Sequence, residues 1–189
     1  MDGLLNMSSY WVFSDVFEEG GILPTPFHGG FGLLTINGTP KPAYRAFQLL
    51  HGAGEERHTV TAGNVNDKEC DVTVLSTSNS THARVFVTNH PPISSNPGNT
   101  CTITISFANK ALSSSTAQIC TVGAKDSNPK AAWQAMGSPE YPTDEQLGKL
   151  EEASALVWAP FALTAVKSDE HAAKIAMAPN SLVVLDISL

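Results

Sequence analysis

The residues predict a mainly β protein: an antiparallel β-sandwich of about eight or nine strands, preceded by an N-terminal strand, loop and helix, with short helices near residues 129–153. Three observations carry this expectation. After Gly54 the chain turns to β-branched runs separated by turn clusters, such as the Asn-, Ser- and Pro-rich stretch at 89–99. Before it, an aromatic run, a glycine- and proline-rich stretch and a helical pattern follow one another within about fifty residues. Between residues 127 and 155 the hydrophobic period changes from two to that of a helix.

Taken in order, Ser9 to Phe17 places apolar and aromatic residues on both alternating faces, Tyr10, Val12 and Val16 on one parity and Trp11, Phe13 and Phe17 on the other. That pattern predicts a strand covered on both sides, as in a parallel sheet, with Phe13 and Phe17 in the core. The segment 18–32 is then an irregular loop, and residues 31–36 followed by Asn37-Gly38 read as a short extended piece with a tight turn. Pro40 and Pro42 open a helix over 41–50, with Ala43, Phe47 and Leu50 at helical spacing on one face and Gly52 and Gly54 beyond its end.

Strands are expected at 71–75, 83–88, 100–107 and 116–122, and again at 156–158, 162–166, 174–177 and 181–187, the last with the β-prone core Leu182-Val183-Val184-Leu185. Asn128-Pro129 opens one helix that Gly137 stops. Thr143-Asp144-Glu145-Gln146 is a capping box for a second, running to Ala153, and both helices are expected to cover an edge or end of the sandwich.

Composition narrows the function classes. At 189 residues and 42% apolar content the chain can bury a full core, but a complete eight-stranded α/β barrel needs about 250 residues. The net charge is -7 and the 11 basic residues are scattered, so no cationic stripe is present and nucleic acid is not expected as a partner. No apolar run is long enough for a membrane span, and Met1-Asp2-Gly3-Leu4-Leu5-Asn6 lacks the basic patch and hydrophobic stretch of a signal peptide. The localisation is left open.

Cys70, Cys101 and Cys120 allow one bridge with a thiol left over, or three free thiols. The sequons Asn6-Met7-Ser8, Asn37-Gly38-Thr39 and Asn79-Ser80-Thr81 become acceptors only on a secretory route. The six histidines show no metal-ligand spacing and no nucleophile elbow is present, so neither a metal, a cofactor nor a serine nucleophile is expected. His28, between Phe27 and Gly29, either hydrogen-bonds a substrate hydroxyl or ties down its loop. Trp133, Tyr141, Trp158 and Phe161 either pack in the core or contact a glycan.

Four motifs resemble one family: residues 9–19 from Ser9 to Glu19, residues 24–34 around Pro26-Phe27-His28-Gly29-Gly30-Phe31-Gly32, Lys41-Pro42-Ala43-Tyr44-Arg45-Ala46-Phe47, and Asn128-Pro129 with Ala132-Trp133 and Met136-Gly137-Ser138-Pro139. They are similar to the C-terminal end of glycoside hydrolase family 39, the β-xylosidases and α-L-iduronidases. The resemblance implies that residues 1–54 are the last strand, loop and helix of a (β/α)8 barrel and that 55–189 form the accessory β-sandwich. Family members are retaining enzymes that place two carboxylates about 5–5.5 Å apart. Those two glutamates end the fourth and seventh barrel strands, so the resemblance implies that no catalytic residue lies in this chain and that the chain alone is inactive.

By the same resemblance Trp11, Glu18, Glu19 and His28 contact the sugar, with Trp11 as part of the floor under the ring. Glu18 and Glu19 are not a catalytic pair, since adjacent residues at a strand end project to opposite sides. A xylose-type sugar is preferred over a uronic acid because no Lys or Arg precedes Lys41 to meet a uronate carboxylate. The alternative is a non-catalytic sandwich that binds carbohydrate or another protein. In that case Trp11, Phe13 and Phe17 would mediate self-association or the docking of missing barrel elements.

Overall fold

The β-branched runs become strands in a computed structural model that describes residues 7–17, 21, 25–61, 63, 70–91, 99–108, 116–167 and 170–189, among which nine antiparallel strands are present. In chain order the elements are α1 (Pro42–His51), β1 (Glu56–His58), β2 (Val72–Ser78), β3 (His82–Asn89), β4 (Cys101–Ala108), β5 (Ala117–Val122), α2 (Pro129–Ala135), α3 (Asp144–Ser154), β6 (Trp158–Phe161), β7 (Thr164–Lys167), β8 (Glu170–Met177) and β9 (Ser181–Ser188). Among the described residues no helix is long and apolar enough to cross a membrane. Two compact units form: Met1–Arg45 with Asn128–Ala155, and Ala46–Ser127 with Leu156–Leu189.

The second unit is the sandwich. A six-stranded sheet in the order β1-β2-β3-β9-β5-β6 faces a three-stranded sheet in the order β4-β8-β7. Strand β9 sits in the middle of the larger sheet, with Val183 opposite Val87 and Leu185 opposite Val85. On the inner face Val85, Val87, Val183 and Leu185 pack against Cys101, Ala173, Ile175 and Met177 of the smaller sheet. On the outer face Phe86, Cys120, Val122 and Val184 pack against Leu49 of α1, with Trp158 beside them. Burial on both faces explains why the run 182–185 is continuously apolar rather than alternating.

A charged cluster closes the outer face. Arg84 donates through Nε and Nη2 to Asp186 Oδ2 at 3.1 and 2.9 Å, and through Nη1 to the Gly52 carbonyl at 2.6 Å. It thereby satisfies a carbonyl just past the C-terminal end of α1. Cys70, just ahead of β2, and Cys101, opening β4, form a disulfide that links the two sheets, while Cys120 stays a buried free thiol. Burial pushes the Cys120 thiol above the usual thiol range.

In the first unit, the capping box at Thr143 is formed in both directions with Gln146, and the Asn128 side chain accepts from Lys130 N–H to start α2. Helices α2 and α3 group with residues 1–45. Polar ties explain this. Arg45 Nε donates to the Ser154 carbonyl at 2.9 Å, Arg45 Nη2 pairs with Glu151 Oε1 at 3.0 Å, and Ser154 Oγ donates to the Pro40 carbonyl at 2.7 Å.

Two expectations for the first fifty residues are corrected. The run 9–17 is not a strand buried on both faces: it makes one parallel bridge, Ser14 with Leu34, and leaves Trp11 68% and Phe13 61% exposed. A strand gains two covered faces only from neighbours on both sides, and here residues 33–34 are the backbone partner among the described residues. In α1 it is Arg45 and Leu49 that are buried, while Phe47 and Leu50 lie outward. The polar ties of Arg45 and the sheet contact of Leu49 override the apolar stripe.

Candidate functional site

A single acid interrupts the apolar run 9–17, and the local structure is organised around it. Asp15 is buried, and an ionised carboxylate there needs partners. Its Oδ1 accepts from Gly32 N–H at 2.8 Å, and its Oδ2 meets Lys41 Nζ at 2.5 Å and His28 Nε2 at 3.6 Å. Lys41 Nζ also donates to the Gly30 carbonyl at 2.9 Å. Gly30 N–H donates to His28 Nδ1 at 3.1 Å, which makes Nδ1 the acceptor and leaves the ring proton on Nε2, toward Asp15.

The loop that carries His28 is therefore wrapped on one carboxylate. Gly30 and Gly32 are required for the approach: a Cβ at Gly32 would overlap the backbone of Ser14 and Asp15, and one at Gly30 would overlap the His28 ring. Backbone bonds add to this. Asp15 N–H donates to the Leu34 carbonyl, Leu34 N–H to the Phe13 carbonyl and Leu33 N–H to the Val12 carbonyl, each at 3.0 Å.

Beside this charged cluster stands a chain of rings. Trp11 meets Phe17 edge to face at 5.8 Å between centroids, and Phe17 meets Phe31 at 6.0 Å. Tyr10 donates its hydroxyl proton to the Phe31 carbonyl at 2.8 Å, so the far end of the glycine-rich loop is fixed to the aromatic run. An exposed indole backed by a perpendicular phenyl ring presents a flat apolar face with little freedom to turn. The Trp11–Val12 peptide bond is cis.

Of the residues singled out from sequence, Trp11 stands in the ring chain and His28 in the charged cluster, and the paired segments 12–15 and 31–34 join the two groups. Glu18 and Glu19 lie outside the described residues. Asp15 and Lys41 were missed as an organising pair; the signal was the isolated acid within an aromatic run, which predicts a buried partner of opposite charge. Phe27 packs on Trp133 at 5.4 Å, and Trp133 Nε1 donates to the Pro139 carbonyl at 3.0 Å. Trp158 and Phe161 pack in the sandwich, whereas Tyr141 is exposed.

Comparison with known proteins identifies the family. The profile of the glycosyl hydrolases family 39 matches residues 1–165. A β-xylosidase of Caldicellulosiruptor saccharolyticus is 34% identical over 184 residues, covering 97% of this chain and 36% of that protein. A β-xylosidase of Geobacillus stearothermophilus is 50% identical over 48 residues.

Among solved structures, the GH39 enzyme from Xanthomonas axonopodis pv. citri superposes with a TM-score of 0.74 at 23% identity, over 99% of this chain and 38% of that one. A monomeric β-xylosidase from Caulobacter crescentus gives a TM-score of 0.69 at 21% identity. The chain thus spans little more than a third of the length of the Caldicellulosiruptor, Xanthomonas and Caulobacter relatives and matches their C-terminal portion. With a family match over most of its length and a relative 34% identical across nearly all of it, this chain belongs to glycosyl hydrolase family 39.

Proposed function

We propose that this chain supplies the C-terminal part of a β-xylosidase-like glycosidase acting on a xylose-type sugar, and that the 189-residue polypeptide by itself does not break glycosidic bonds. In the complete site, Trp11, Glu18, Glu19 and His28 contact the sugar. Trp11 offers the stacking face, one or both of Glu18 and Glu19 accept hydrogen bonds from sugar hydroxyls, and His28 joins them from the loop pinned on Asp15. The exposed indole of Trp11, held against Phe17, is the observation that supports this reading most strongly.

Asp15 is assigned to holding the loop rather than to bond cleavage, because it is buried and its two oxygens are engaged with Gly32 and Lys41. Retaining hydrolysis needs two opposed carboxylates about 5–5.5 Å apart around the scissile bond. The test is release of p-nitrophenol from p-nitrophenyl β-xyloside by the purified 189-residue polypeptide. No turnover above buffer is expected, and clear turnover overturns the inactivity. In parallel, xylo-oligosaccharides are expected to change Trp11 fluorescence weakly, an effect lost in Trp11→Ala.

A second reading is favoured by one specific observation. Tyr10, Trp11, Phe13 and Val16 are all solvent-exposed within one short segment, and the exposed Phe31 is tied to it through Phe17 and Tyr10, a grouping that invites protein contact. On this reading the aromatic run docks a protein surface or a second copy of the chain. Sedimentation velocity separates the two: association that weakens in Phe13→Ser supports it, and a monomer at high concentration removes it.

A further inference from the structure

The hairpin between β2 and β3 carries a feature independent of the sugar-site proposal. Asn79, Ser80 and Thr81 form its turn, and all three are exposed. Three donors converge on one atom of Asn79: Thr81 N–H at 2.9 Å, Thr81 Oγ1 at 3.1 Å and His82 N–H at 2.9 Å. Three donors define that atom as the carbonyl Oδ1, so the amide is not ambiguous, and Nδ2 takes the opposite edge of the planar group, away from the turn backbone. Asn79-Ser80-Thr81 is also an acceptor triplet for N-linked glycans.

A second observation concerns the compartment. Cys70 and Cys101 are joined in a disulfide within the same unit. Bridges of this kind form and persist in oxidising compartments, where lipid-linked oligosaccharides are also transferred to asparagine. The triplet and the disulfide point to the same route by unrelated chemistry.

We propose that Asn79 is an N-glycosylation site and that the chain matures in an oxidising, secretory-type compartment. In the transfer, Nδ2 attacks the anomeric carbon of a lipid-pyrophosphate-linked oligosaccharide. A C–N bond forms, the anomeric C–O bond to phosphate breaks, the lipid pyrophosphate leaves, and one Nδ2 proton passes to the transferase. Nothing is oxidised or reduced in this step.

Asn79 is preferred to Asn37 because its whole triplet is exposed, whereas Thr39 of the Asn37 triplet is buried. A glycan at the β2–β3 turn leaves both faces of the larger sheet untouched. The strands on either side remain paired from Ser78 with Ala83 onward.

The test is peptide mass spectrometry on the full protein isolated from cells that make it, after peptide N-glycosidase treatment in heavy-oxygen water. Heavy-oxygen aspartate at position 79 in most chains is the expected result, with an electrophoretic shift on deglycosylation. Thr81→Ala is expected to abolish both signals and Thr81→Ser to keep them. Both variants are expected to keep the turn, since the backbone donors to Asn79 Oδ1 are unchanged, and to keep the Cys70–Cys101 bridge, which lies outside it. Unmodified Asn79 in disulfide-closed chains overturns the proposal, as does recovery of Cys70 and Cys101 as free thiols, or a label that survives Thr81→Ala.

Discussion

Val85 and Phe13 are both large apolar residues in runs that read as strands, yet Val85 is 2% exposed and Phe13 is 61% exposed. The difference lies in their neighbours rather than in their own patterns. Strand β3 is hydrogen-bonded on both edges, to β2 and β9, and faces a second sheet. Among the described residues, 9–17 have one bridge, to Leu34, and a single buried side chain of consequence, Asp15. The sandwich closes its core from its own strands, while the aromatic run keeps its outer face available.

Removing sandwich ties is the strongest way to break this contrast. Replacing Cys70 and Cys101 with Ser reopens a loop with a sequence separation of 31 residues, and chain-entropy arguments put the cost at about 4 kcal/mol. Urea unfolding of the variant is expected to show that loss as a lower midpoint. Leu185→Ala, at a fully buried position between the sheets, is expected to cost about 3 kcal/mol in the same assay.

The charged cluster sharpens the contrast, because it is the buried part of the otherwise open segment. Asp15→Asn keeps an acceptor for Gly32 N–H but removes the charge facing Lys41, whose side chain retains some solvent. A loss of about 2 kcal/mol in local stability follows, read as faster exchange of the Gly32 and Leu34 amides. The smallest effect is expected at the exposed ring. Phe13→Ser should shift global stability by less than about 0.5 kcal/mol, and a much larger shift would mean the ring is buried after all.

Legibility followed the same divide. The strands of the sandwich were visible because β-branched alternation reports a sheet whose faces are covered, and the Thr143 capping box was visible because it is a local exchange of hydrogen bonds. Strand β1, Glu-Arg-His, was not legible; all three residues are exposed, and the ladder to β2 holds them rather than any apolar pattern. The Cys70–Cys101 pairing was not legible either, because spacing alone does not choose among three cysteines.

In the site, the glycine-rich loop and Trp11 could be marked from residue type. The convergence of His28, Gly30, Gly32 and Lys41 on Asp15 could not, since it depends on a fold-back across the loop. The burial assigned to Phe13 failed for a related reason: alternation states which faces exist, and neighbours decide which are covered.

Native-state hydrogen exchange tests the contrast most directly. The amides of Val85, Val87, Val183 and Leu185 are expected to exchange only with global unfolding of the sandwich. Those of Asp15, Leu33 and Leu34 should exchange about two orders of magnitude faster through local opening. Equal protection of the two sets would contradict the account, because the aromatic run would then be as fully fixed by this chain as the sandwich core.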